Sequence, residues 1–232
     1  MEITPPIRFN PDQYADILTA HGLHLDWLNE EDGDPFGRRN LTRAGLLDAA
    51  RAVPRHYRTA LADHPKVVDW VRTVAETARD QAARGQVPSV TAGPSLLLLG
   101  RTGTGKTHQA YGAVRLLSGC GVRTSWVVTT GPDLYASLRP RHGVDAETEF
   151  RRYRDARLLL VDDIGAAKPS EFTEEINFRL INHRYENELP TLMTSNVEPR
   201  DMQDRLGDRV TSRLAEMCQR VVIAGTDRRR AA

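Results

Sequence analysis

The chain has 232 residues, enough for one large domain or a domain with a small appendage at about 150 residues per domain. Apolar residues make up 40% and charged residues 27%, so a packed core needs no disulfides. The 32 basic and 31 acidic side chains nearly cancel, which excludes a uniformly basic nucleic-acid coat and an acidic solvating tail. Cys120 and Cys218 are too few for a disulfide framework or a thiolate zinc site. The N-terminal residues lack the basic and apolar regions of a signal peptide, and the longest apolar runs, 96–99 and 158–161, are strand-sized. The expectation is a cytoplasmic protein with no membrane segment.

Residues 1–88 read as a small helical region and residues 89–232 as a separate α/β domain. Asn10 and Pro11 read as the cap and first residue of a helix that ends before Gly22. Residues 26–37 form an acidic loop punctuated by glycine and proline, and residues 41–52 carry helical periodicity up to Pro54. Pro65 opens a longer helix towards Gly85, in which Val67, Val68, Val71, Val74, Ala75 and Ala78 make one apolar stripe. That stripe packs on the neighbouring domain or, alternatively, docks a partner.

From residue 89 onward, strands and helices alternate. Strands are predicted at 95–99, 123–129, 158–163, 190–195 and 220–224, and helices near 106–118, 145–155, 171–188 and 199–217. The strands are continuous apolar runs, as in a parallel sheet covered on both faces, so a doubly wound α/β domain follows.

Gly100-Arg101-Thr102-Gly103-Thr104-Gly105-Lys106-Thr107 is a complete phosphate-binding loop between a strand and a helix. Its glycines let successive N–H groups turn towards a phosphate, at a helix N-terminus. Lys106 is expected to reach the β- and γ-phosphates of ATP, and Thr107 to ligate Mg²⁺. The run Arg157–Gly165 brings Asp162 to the C-terminal end of a strand, where it would hold the Mg²⁺, with Asp163 orienting or deprotonating the attacking water. Thr194-Ser195-Asn196 closes the next strand, so Asn196 can touch the γ-phosphate or the water.

GRTGTGKT, LLLVDDIG, PTLMTSN and GDRVTSRL, in that order, resemble the replicative helicase loaders of the DnaC/DnaI branch of the AAA+ ATPases. The transposition helper IstB is similar and shares these motifs. The resemblance covers roughly residues 89–230. It implies a five-stranded parallel sheet in the order 5-1-4-3-2, no separate C-terminal lid, and ATP bound between subunits of an ATP-dependent homo-oligomer. It also implies that Arg213, or else Arg209, completes a neighbouring subunit's site. The implied activity is slow, stimulated ATP hydrolysis in loading a hexameric replicative helicase onto single-stranded DNA. A transposase is the alternative partner. A small-molecule kinase and a non-hydrolysing scaffold are the other readings. In loaders, the segment before Asp162 carries a DNA-contacting helix. Here that resemblance points to Arg151, Arg152, Tyr153 and Arg154, with arginines for phosphates and rings for bases. Asp163 stands where many AAA+ proteins carry glutamate.

Overall fold

The computed structural model describes residues 11–82, 86–143 and 145–225. The cap at Asn10 and the end of the long helix at Gly85 lie outside them.

The helical part comprises α1 (Pro11–Ala20), α2 (Leu25–Asn29), α3 (Arg38–Ala52), a 3₁₀ turn at Arg55–Tyr57 and α4 (Pro65–Ala82). The α/β part follows as β1 (Ser95–Leu99), α5 (Lys106–Ser118), β2 (Trp126–Thr130), α6 (Gly131–Leu138), α7 (Ala146–Arg154) and β3 (Leu158–Asp162). It continues through α8 (Glu171–Glu186), β4 (Thr191–Ser195), a 3₁₀ turn at Pro199–Asp201, α9 (Met202–Leu206), α10 (Asp208–Met217) and β5 (Cys218–Val222).

All strand pairs are parallel, and the sheet order is β2-β3-β4-β1-β5, the reverse reading of 5-1-4-3-2. Successive residues of the inner strands feed opposite layers. Leu96 and Leu98 enter one core with α4 and α5, whereas Leu97 and Leu99 enter the other with α6–α10. Leu158 and Leu160 divide from Leu159 and Val161 in the same way. That two-sided burial is why the strands are unbroken apolar runs rather than alternating ones.

The stripe on α4 is buried in the same core as β1 and α5, with Val67, Trp70, Val71, Val74, Ala75 and Ala78 all inside and Val68 packed at its border. Ala49, Val53, Ala60 and Ala62 join it, so one core crosses residue 88. A smaller cluster of Tyr14, Ile17, Leu18, Leu28 and Leu46 ties α1–α3 together. Arg115 on α5 anchors this region by donating to both carboxylate oxygens of Asp16, at 2.7 and 2.9 Å, and to the carbonyl of Ala60. No helix among the described residues is long and apolar enough to cross a membrane.

Two local expectations are corrected, and one helix is added to those expected. The helix expected over 199–217 is broken at Gly207, whose φ of 86° ends α9 and starts α10. The strand expected from residue 123 begins at Trp126, because Arg123 makes only a single bridge to Ser89. Helix α6 was not foreseen; Thr130 caps it by accepting from the Asp133 N–H, with proline in its first turn.

Candidate nucleotide site

The strand order puts the C-terminal end of β4 between those of β1 and β3. The phosphate loop leaves β1, Asp162 ends β3 and Asn196 follows β4, so three chain segments meet at the switch point of the sheet. Gly103 and Gly105 have φ of 83° and 100°, left-handed values that let the loop turn into α5. Gly100 is required by close approach, since a Cβ there would lie 2.5 Å from the Ile223 carbonyl oxygen. Thr104 is buried and ties the loop by donating to the Arg101 carbonyl at 2.9 Å.

The polar side chains form one connected network. The buried Lys106 ammonium donates to the Arg101 carbonyl at 2.9 Å and to Asn196 Oδ1 at 2.5 Å. Asn196 donates from Nδ2 to Asp163 Oδ1 at 2.7 Å. The Asp163 backbone N–H donates to Thr194 Oγ1, and that hydroxyl donates to Asp162 Oδ1 at 2.6 Å. Thr107 Oγ1 donates to the same carboxylate oxygen at 3.1 Å. Asp163 has φ of 56°, a left-handed backbone that is costly outside glycine and concentrates at functional sites. The Thr107 hydroxyl and Asp162 carboxylate are hard oxygen donors side by side, the kind of protein contribution Mg²⁺ takes alongside phosphate and water oxygens.

Burial raises the Asp162 pKa above the usual carboxylate range, and the neighbouring Asp163 adds to it, against the lowering effect of Thr194, Thr107 and Lys106. The folded pKa thus exceeds the unfolded one. The ionised carboxylate costs stability at pH above the folded value, and that cost disappears as pH falls through it. Asp162→Asn is therefore expected to keep or raise the Tm while losing Mg²⁺-dependent nucleotide binding. The Tm gap to wild type should widen as pH rises. Thermal melts across pH check this, and a large drop in the variant's Tm would make Asp162 structural.

The network opens into a cavity of about 510 Å³ lined by Thr102, Gly103, Gly105, Lys106, Thr107, His108, Asp163 and Asn196, and by His56 and Tyr57. The last two were not foreseen from the sequence. Tyr57 stacks on Tyr111 of α5, with ring centroids 4.7 Å apart, and His56 meets Tyr57 edge-on. Gln109 clamps the segment that follows: its Oε1 accepts from the N–H groups of Asp63 and His64, and its Nε2 donates to Asp63 Oδ1. Thr194, named in the sequence only as part of the strand end, is the junction of the network; the signal for that role was a hydroxyl one residue inside the end of the strand beside β3.

Arg209 and Arg213 are outside this cavity's lining. Both guanidiniums lie over the Phe178 ring, at 5.5 and 5.4 Å, and Arg213 also lies over Tyr185. Among the described residues neither is ion-paired to Asp204, Asp208 or Glu216.

The expected ring-and-arginine helix is corrected. Tyr153, Phe150 and Tyr135 are core residues at 5% exposure or less, so none of these rings is available to stack on a base. Phe150 and Tyr153 are one helical turn apart on the apolar face of α7. Arg152 pairs with Glu149 at 3.1 Å and Arg154 with Asp155 at 2.7 Å, while Arg151 has only a 3.8 Å approach to Glu147.

A parallel, two-layer-covered sheet with a phosphate loop, a strand-end aspartate pair and a strand-end asparagine defines an AAA+ nucleotide-binding protein. More closely, the chain belongs to the family of IstB-like ATP binding proteins, whose model matches residues 67–231. The replicative helicase loader DnaC of Escherichia coli K12 is 27% identical over 125 residues, 52% of this chain and 49% of that protein. The chain thus spans about half the length of the DnaC relatives it matches. A crystal structure of the DnaC helicase loader superposes with a TM-score of 0.55 at 27% identity, covering 74% of this chain and all of that one. DnaI, at 20% identity and a TM-score of 0.54 over 82% of this chain and 93% of that one, shares the fold.

Proposed function

We propose that this chain hydrolyses ATP and acts as a loader of a hexameric replicative helicase on single-stranded DNA. The observation that carries the reading is the network from Lys106 through Asn196, Asp163 and Thr194 to Asp162 and Thr107, in a chain similar to DnaC loaders. Lys106 holds the β- and γ-phosphates. Thr107 and Asp162 hold Mg²⁺, which when bound offsets phosphate charge. Asp163 orients the attacking water or takes its proton, and Asn196 keeps that carboxylate and the phosphate side in register. Tyr57 and His56 line the same cavity and serve as a platform for the base. Arg213, or Arg209, reaches a neighbouring subunit's phosphate from a self-assembled oligomer. Residues 1–88 supply the partner-docking surface, on α1–α3, and residues 89–232 the ATPase. The compartment is the cytoplasm.

Membership of the IstB-like family favours one second reading, a helper ATPase serving a transposase. Sizing of the protein mixed with the helicase of its own host, with ATP and single-stranded DNA, separates the two. Co-elution with the helicase is expected. ATP-dependent assembly on DNA alone, without the helicase, would transfer the reading to the transposition helper.

A further inference from the structure

A second cavity, of about 460 Å³, lies under the opposite end of the sheet from the phosphate loop. Its walls are Arg123, Thr124 and Ser125 before β2, Arg151 and Arg152 on the last turn of α7, and Asp155, Ala156 and Arg157 before β3. Four guanidiniums meet one carboxylate there. That carboxylate is already committed: Asp155 accepts two bonds from Arg154, at 2.7 and 2.8 Å, and approaches His183 at 3.2 Å. Glu147, the partner of Arg151, is held more closely by Arg179, at 2.6 Å. The Arg152–Glu149 pair is exposed and thus weak. Among the described residues Arg123 and Arg157 form no ion pair. The Thr124 hydroxyl is buried and has no hydrogen-bond partner there either.

The backbone beneath these arginines is fixed. The Arg123 N–H donates to the Pro88 carbonyl and its own carbonyl accepts from Val90, and the Leu158 N–H donates to the Ser125 carbonyl. Behind the cavity, Arg184 holds the carbonyls of Tyr153, Arg154 and Ala156. Like charges gathered on a rigid frame repel one another unless an anion joins them. Guanidinium forks with hydroxyls beside them suit phosphate oxygens. Ala156 is the only apolar side chain in the lining, so nothing grips a base or an apolar ligand body. Recognition by charge alone is the mark of contacts to a sugar–phosphate backbone.

We propose that this cavity binds the phosphate backbone of a nucleic acid strand, with Arg123 and Arg157 as the principal contacts and Arg151 and Arg152 flanking them. The inference rests on the DNA reading above but assigns it to a different surface from the α7 rings. Fluorescence anisotropy of a labelled oligothymidylate, titrated with the full chain over a range of salt, tests it. The variants are Arg123→Glu/Arg157→Glu and, as a control, Arg139→Glu/Arg141→Glu, an exposed basic pair elsewhere. Loss of Arg123 and Arg157, two of the four cavity arginines, is expected to weaken binding at least about tenfold and reduce the salt slope by about 1.4, two phosphates' worth. The control pair should bind as wild type, and ATP affinity should be unchanged in all. Wild-type binding by the cavity variant would overturn the cavity and leave the DNA reading standing. No binding of single strands by the wild type would overturn both. Thermal protection by inorganic pyrophosphate, lost in the cavity variant, without oligonucleotide binding would make it a small-phosphate site and overturn the strand assignment.

Discussion

Replacing Lys106 by alanine is expected to abolish ATP binding while the protein stays folded. The ammonium is buried, at 4% exposure; it donates to a loop carbonyl and a side-chain amide oxygen, and its charge favours the ionised form of Asp162. Its removal takes a nearby cation from Asp162, and that carboxyl can respond by holding its proton more strongly rather than by unfolding the chain. The nucleotide loses charge-assisted bonds to two phosphates, worth about 3–6 kcal/mol together at roughly 1.5–3 each. That corresponds to roughly a hundredfold or greater rise in Kd. Calorimetric titration with ATP and Mg²⁺ checks the affinity, and a melt of the same sample checks the fold. Unchanged affinity in a folded variant would remove the phosphate loop from the account.

The largest expected effect on stability is at Arg184, far from the nucleotide. This side chain is fully buried, and burial lowers its pKa to about 9, which still leaves it charged at neutral pH. Among the described residues it makes no ion pair at contact distance, although the charge of Asp155 favours its protonated form. Instead Nε donates to Thr191 Oγ1 at 2.7 Å, Nη1 to the carbonyls of Tyr153, Arg154 and Ala156, and Nη2 to that of Pro190. One guanidinium thus closes the end of α7 and the starts of β3 and β4. Arg184→Leu strands those acceptors inside the protein, at a cost of about 3–5 kcal/mol, similar to breaking a buried ion pair. For a chain of this size the Tm should fall on the order of 10 °C. Arg184→Lys keeps the charge but reaches fewer acceptors, so it should fall in between. A melt of Arg184→Leu within a degree or two of wild type would contradict this reading of the sheet's lower edge.

The phosphate loop, the Asp162–Asp163 pair and the five strands were legible because each is dictated over a few residues. A buried parallel strand must be apolar on both faces, and a phosphate-binding turn needs glycine where φ is positive. What escaped the sequence depended on distant partners. Thr194 is an ordinary strand hydroxyl until β3 lies beside it. Tyr57 reaches the cavity because α3 and α4 fold back over α5, with Gly112 allowing the chain at Ala62 to sit against that helix; a Cβ there would lie 2.3 Å from the Ala62 nitrogen. The aromatics of α7 were misassigned for the opposite reason. Their spacing with the arginines suits either a stacking surface or an amphipathic helix, and only the packing against α6 and α8 decides for the core. Gly207 carries a helix break that the surrounding periodicity conceals.

ATP hydrolysis by this network is the central expectation. The direct measurement is phosphate release from ATP with Mg²⁺ and single-stranded DNA, by the wild type and by Asp163→Asn, each with its ATP affinity measured alongside. Slow release by the wild type, with Asp163→Asn binding ATP equally well and releasing at least about a hundredfold less phosphate, is the predicted result for a carboxylate acting on the water. Equal release by the two proteins, or none by a wild type that binds ATP, would contradict it.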